Sequence, residues 1–101
     1  MLIGFSVVPL GMGSSIGDQV AEVMEIVDAS GLPYKVNPMA TVLEGEWDEV
    51  MNLVKICHAA VMKSAERVVT TISIDDRRGG PKRIEEKVKS VERRIGKSLK
   101  K

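Results

Sequence analysis

At 101 residues and 44% hydrophobic side chains the chain is long enough for one core, removing roughly 60–70% of its unfolded surface from water. A single cysteine, Cys57, rules out an internal disulfide framework and a multi-cysteine metal site, and it fits a reducing, cytoplasmic setting. The net charge of +1 hides a split: residues 1–76 carry 4 basic and 11 acidic groups, a balance of −7, whereas residues 77–101 carry 11 basic and 3 acidic groups, a balance of +8. Such asymmetry suits a nucleic-acid tail, or a basic end of one subunit set against the acidic part of another.

The N-terminal "MLIGFSVVPLG" has no basic leader and is broken by Gly, Ser and Pro, so it reads as a first strand rather than a signal peptide. Ile3, Phe5 and Val7 fall on one of its faces, Gly4, Ser6 and Val8 on the other. No run approaches the ~18–20 apolar residues of a membrane span. "GMGSSIG" leads into a helix in which Ile16, Val20, Val23, Met24 and Val27 recur at helical spacing, with Ser14 or Ser15 as N-cap and Gly31 at the C-terminal end. The loop fails the tests for a phosphate loop: Ile16 stands where a dinucleotide fingerprint needs glycine, and no Gly-Lys pair precedes a hydroxyl residue.

Two strands follow, around "YKVN" and "ATVLEG", on either side of Pro38. "EWDEVMNLVKICHAAVMKSA" reads as a helix with Trp47, Met51, Val54, His58 and Val61 on one stripe. "RVVTTISID" is a fourth strand, with Val68, Thr70, Ile72 and Ile74 on one face and Val69, Thr71, Ser73 and Asp75 on the other. In the last segment Gly79 and Gly80 supply a turn and Pro81 suits a first helical position. Glu85 lies four residues before Lys89, and Ile84, Val88, Val91 and Ile95 form a thin apolar stripe.

The order β-α-β-β-α-β-α predicts an α+β protein: a ferredoxin-like βαββαβ antiparallel sheet with an added C-terminal helix. The expected organisation is a single domain over 1–101, with the core in 1–80 and a basic helix in 81–101. Right-handed crossovers place both long helices on one sheet face, which leaves the other face in need of a subunit or a ligand.

One His and one Cys cannot furnish a nucleophile, a base and an orienting group; adjacent on a helix, Cys57 and His58 point about 100° apart. The expectation is no catalysis, no metal and no cofactor. His58 reads first as a buried or interface histidine with a hydrogen-bond partner, and second as a polar contact in a pocket. A polar set can converge instead: Ser6, Asn37, Thr41, Glu44, Thr71 and Ser73 against a flat wall of Trp47 or His58, suited to a small polar or cationic heterocycle. The same residues also read as ordinary strand positions at a subunit interface. Asp75 and Arg77 read as a structural salt bridge or subunit contact. Nucleic acid is a weaker reading, since three aromatic side chains leave no stacking platform on the strands.

In order and spacing, "FSVVPLG", "SGLPYKVNPMATVLEGEWDEV", "ICHAAV", "RVVTTISIDDR" and "KVKSV" resemble the YkoF-like thiamine-binding proteins, over nearly the whole chain. The resemblance implies a ferredoxin-like subunit, dimers joined through their sheets, tetramers built from them, and binding of thiamine or its hydroxymethylpyrimidine part without catalysis. Thr41, Glu44, His58, Arg67, Thr71, Asp75 and Arg77 match the pattern; Met12 departs from it, standing where a hydroxyl residue is expected. The ligand contacts expected are Ser6, Asn37, Thr41, Glu44, Trp47, His58 and Thr71, and the interface residues Arg67, Asp75 and Arg77. The alternative is a regulatory or structural oligomer that binds another metabolite or an anion.

Overall fold

The computed structural model describes residues 1–11, 13, 16–78 and 83–100. Its elements are β1 (Leu2–Leu10), α1 (Gly17–Ala29), β2 (Tyr34–Val36), β3 (Thr41–Glu44), α2 (Trp47–Met62), β4 (Arg67–Asp75) and α3 (Arg83–Ile95). The four strands form one antiparallel sheet in the order β2-β3-β1-β4, the α+β ferredoxin-like arrangement with a helix added at the C-terminal end.

Register decides which side chains meet. Ile3 lies opposite Leu43 and Ile74, and Phe5 opposite Thr41 and Ile72, so these residues share one face. Both α1 and α2 cover that face. Ile3, Phe5, Val23, Val27, Leu43, Val50, Leu53, Val54, Cys57 and Val61 form the core cluster. Each such aliphatic side chain contributes about 1.5–3 kcal/mol through its removal from water. The other face carries Gly4, Ser6 and Val8 beside Ser73, Thr71 and Val69.

Two sequence expectations change in the helices. The serines at 14 and 15 lie outside the described residues, and α1 begins later than a cap there requires, with Ile16 in the N-cap position and no side-chain cap. Gly31 does close it, at φ +78°, a left-handed conformation that favours glycine. In α2 the buried stripe is Val50, Leu53, Val54, Cys57, Ala60 and Val61. It shares Val54 and Val61 with the stripe expected through Trp47 and His58. The rest of the contact goes to compact apolar side chains that let the helix approach the sheet. Trp47, the first residue of α2, is left 53% exposed.

The helix α3 lies on the opposite face from α1 and α2, against β3. Its backbone enters beneath Glu44, whose carboxylate accepts the Ile84 N–H at 3.0 Å. This places an anion at the positive end of the helix dipole. Lys87 reaches Asp75 at 2.9 Å, and Glu85 and Lys89 form the expected i,i+4 pair at 3.6 Å. Gly79, Gly80 and Pro81, the expected turn, lie outside the described residues. Val91 and Ile95 stay about half exposed; α3 covers the β3 side of the open face, and among the described residues Val8, Val69, Thr71 and Ser73 of the β1–β4 half are exposed. Among the described residues no helix is long and apolar enough to cross a membrane.

Candidate functional site

The two faces divide the residues singled out from the sequence. Ser6 and Thr71 are direct cross-strand partners on the open face, as expected from their strand order. Glu44 shares that face but is committed to the start of α3. Thr41 and His58 belong to the helix-covered side. Thr41 is 9% exposed and donates its hydroxyl to the Met24 thioether at 3.6 Å. His58 shares a 2.6 Å hydrogen bond between Nδ1 and the Thr70 hydroxyl, joining α2 to β4. The histidine therefore has the partner its first reading asked for. Asn37 sits just past β2 in an exposed loop, and its N–H donates to the Ala40 carbonyl at 3.0 Å. Asp75 makes its salt bridge with Lys87 of α3; Arg67 and Arg77 are exposed.

Three of the expected ligand contacts, Ser6, Asn37 and Thr41, border one cavity of about 210 Å³. Its origin is a mismatch in strand length. On one side β1 pairs with β4 from Leu2 through Leu10; on the other its pairing with β3 stops at Phe5 opposite Thr41. Beyond that point the chain of β3 has turned away into the Asn37–Ala40 loop, and a slot opens between β1 and the loop. Val20, Val23 and Met24 of α1 roof it, and Val36, Pro38 and Met39 close its outer side. The lining is mostly apolar with a few polar groups, the usual composition of a small-molecule site. Glu44, Trp47, His58 and Thr71 do not border this cavity.

Sequence reasoning missed Val7, Val20, Met24 and Met39 as cavity residues. Val20 (46% exposed) and Met39 (89% exposed) look anomalous only once the fold is known: two large apolar side chains left in water at the lip of one hollow.

Cys57, fully buried in the core, is shielded from nucleophilic chemistry; burial pushes its thiol up to about 11, which keeps it protonated at neutral pH. Tyr34 donates to the Asp28 carboxylate at 2.7 Å, and that hydrogen bond raises its phenol above the ordinary value. Among the described residues no three His, Cys, Asp or Glu side chains are grouped to hold a metal ion.

A family model described as thiamine-binding protein matches residues 3–92. The chain belongs to the thiamine-binding protein family. Its relatives include UPF0045 protein Mb1933 of Mycobacterium bovis, 43% identical over 92% of each chain. Among solved structures, a hypothetical protein of Methanocaldococcus jannaschii superposes with TM-score 0.84 at 34% identity, covering 89% of this chain and 93% of that one. A proposed thiamine biosynthesis/salvage protein of Thermotoga maritima superposes with TM-score 0.78 at 31% identity, covering 89% and 96%. The thiamine-binding family and the ferredoxin-like fold thus agree with the resemblance drawn from sequence motifs.

Proposed function

We propose that this protein holds thiamine, or its hydroxymethylpyrimidine part, in the slot between β1 and the Asn37–Ala40 loop, and releases it unchanged. The observation that carries this reading is the convergence of Ser6, Asn37 and Thr41 on one mostly apolar cavity in a chain of the thiamine-binding family. At about 210 Å³ the cavity lies below the ~300–1,000 Å³ usual for ligand sites, so it suits one ring better than two. The pyrimidine enters the slot, and the cationic thiazolium stays at the mouth. With one partnered histidine and a buried, protonated cysteine, the chain offers binding groups rather than a reactive constellation. Residues 1–80 form the binding unit and 81–101 the added basic segment.

The working form is a cytoplasmic homo-oligomer: dimers joined through the bare β1–β4 half of the open face, paired into tetramers. The exposed Val8 and Val69, directly opposite one another, support that contact, with Ser6, Thr71 and Ser73 between the copies and Arg67 and Arg77 at the margin.

Calorimetric titration with thiamine, with the oligomer mass measured on the same sample, tests the reading. Saturable binding at about one ligand per subunit is expected. An intact oligomer that takes up no thiamine and no hydroxymethylpyrimidine sinks it.

A further inference from the structure

The slot exposes backbone as well as side chains. In an antiparallel ladder, residues alternate between those that aim both N–H and C=O at one neighbour and those that aim both at the other. The Gly45 N–H donates to the Met1 carbonyl at 3.0 Å, so the residues of β1 that face β3 are Met1, Ile3 and Phe5. The next in that phase is Val7. Its N–H and C=O aim toward the β3 side, but β3 pairs no further than Phe5, and Val7 borders the cavity. Pro9 follows two residues later in the same phase, where the missing proline N–H costs no bond because no strand lies alongside. The intervening Ser6 and Val8 spend their peptide groups on β4, opposite Thr71 and Val69.

We propose that the peptide edge at Val7 is the element that reads the ligand, taking a flat heterocycle whose rim carries a donor beside an acceptor, as an aminopyrimidine does. On one residue the backbone N–H donates to the ring's acceptor and the C=O accepts from its donor, so the ring docks as a substitute for the absent stretch of β3. The apolar walls from Val20 and Met24 cover its faces. This rests on the reading of the slot as the ligand site, and it assigns the pyrimidine half of thiamine to Val7 rather than to the side chains of Ser6 or Asn37.

The test replaces Val7 by its α-hydroxy acid, which turns the peptide into an ester and deletes the N–H while keeping the side chain. The same replacement at Gly4, whose N–H serves the β4 ladder opposite Ser73 and whose ester leaves the Val7 carbonyl untouched, is the control. Val7→Pro is the simpler second variant. Each protein is titrated with thiamine, with its hydroxymethylpyrimidine and hydroxyethylthiazole halves, and with plain 4-aminopyrimidine, and each is melted to check the fold. Expected is about tenfold weaker binding of thiamine and of both pyrimidines to the Val7 ester, against unchanged affinity and a lowered Tm for the Gly4 ester. Unchanged thiamine affinity in the Val7 ester, or binding of the thiazole half alone, overturns the assignment and leaves the thiamine reading in place. Wild-type binding of 4-aminopyrimidine but not thiamine, weakened by the ester, upholds the assignment and removes thiamine. No binding of any probe at millimolar concentration overturns both.

Discussion

Thr41 and Cys57 show how burial changes what a polar atom can do. The Thr41 hydroxyl sits on the cavity wall with a thioether as its recorded acceptor, a weak partner compared with a carbonyl. Thr41→Val therefore shifts the unfolding free energy by less than about 1 kcal/mol, since a methyl group of similar shape replaces a loosely held hydroxyl. Thiamine affinity in that variant falls severalfold if the ligand draws on the hydroxyl; an unchanged Kd assigns Thr41 to packing alone. For Cys57 the sign follows from a folded thiol near 11 and an ordinary value of 9.0. The fold favours the neutral thiol, so this contribution is present below pH 9 and is lost as pH rises through 9 to 11. About two units correspond to a loss on the order of 2–3 kcal/mol across that window. Urea midpoints measured from pH 8 to 11 are expected to fall more steeply in the wild type than in Cys57→Ala; parallel slopes refute the assignment.

At the scale of elements, the contacts that hold α3 include the Glu44 carboxylate on the Ile84 N–H, the Lys87–Asp75 pair and a half-buried apolar stripe. Exposed ion pairs contribute little, so the Glu44 contact outweighs the Lys87–Asp75 pair. Glu44→Ala is expected to cost about 1 kcal/mol, localised as faster amide exchange over 83–95 with the sheet unaffected. Uniform loss of protection across the sheet rules out this local role. Strand phases were readable from sequence because alternation is strict: Ile3, Phe5 and Val7 separate from Gly4, Ser6 and Val8 without any knowledge of partners. The stripe of α2 was not. Two helical stripes sharing Val54 and Val61 have equal periodicity, and only the depth of the sheet beneath them favours Val50 and Cys57 over Trp47 and His58. The role of Glu44 was illegible for a related reason, since its partner lies forty positions away.

For the whole molecule, the uneven cover of the open face sets the behaviour in solution. α3 shields the β3 side, while Val8, Val69, Thr71 and Ser73 stay exposed and Ser6 half-buried beside a nine-residue edge strand. A second copy seated there stabilises the folded form by mass action, so Tm is expected to rise by several degrees over a hundredfold increase in protein concentration. A flat Tm over that range means that water, and not another subunit, meets this face. The cavity was half legible at this scale: its hydroxyls and amide were found as types, but the hollow itself exists because one strand is five residues longer on one side than on the other.

That inequality of lengths has a consequence for how the protein can change. A recognition edge made of peptide groups is present whatever side chain stands at the position. Alanine scanning of β1 is blind to it, and substitutions at Val7 that preserve an extended backbone leave the preference for a pyrimidine rim intact. Selectivity in such a site is lost by lengthening β3, which fills the slot with the chain's own backbone, or by a proline at Val7 itself, which deletes the recognising N–H.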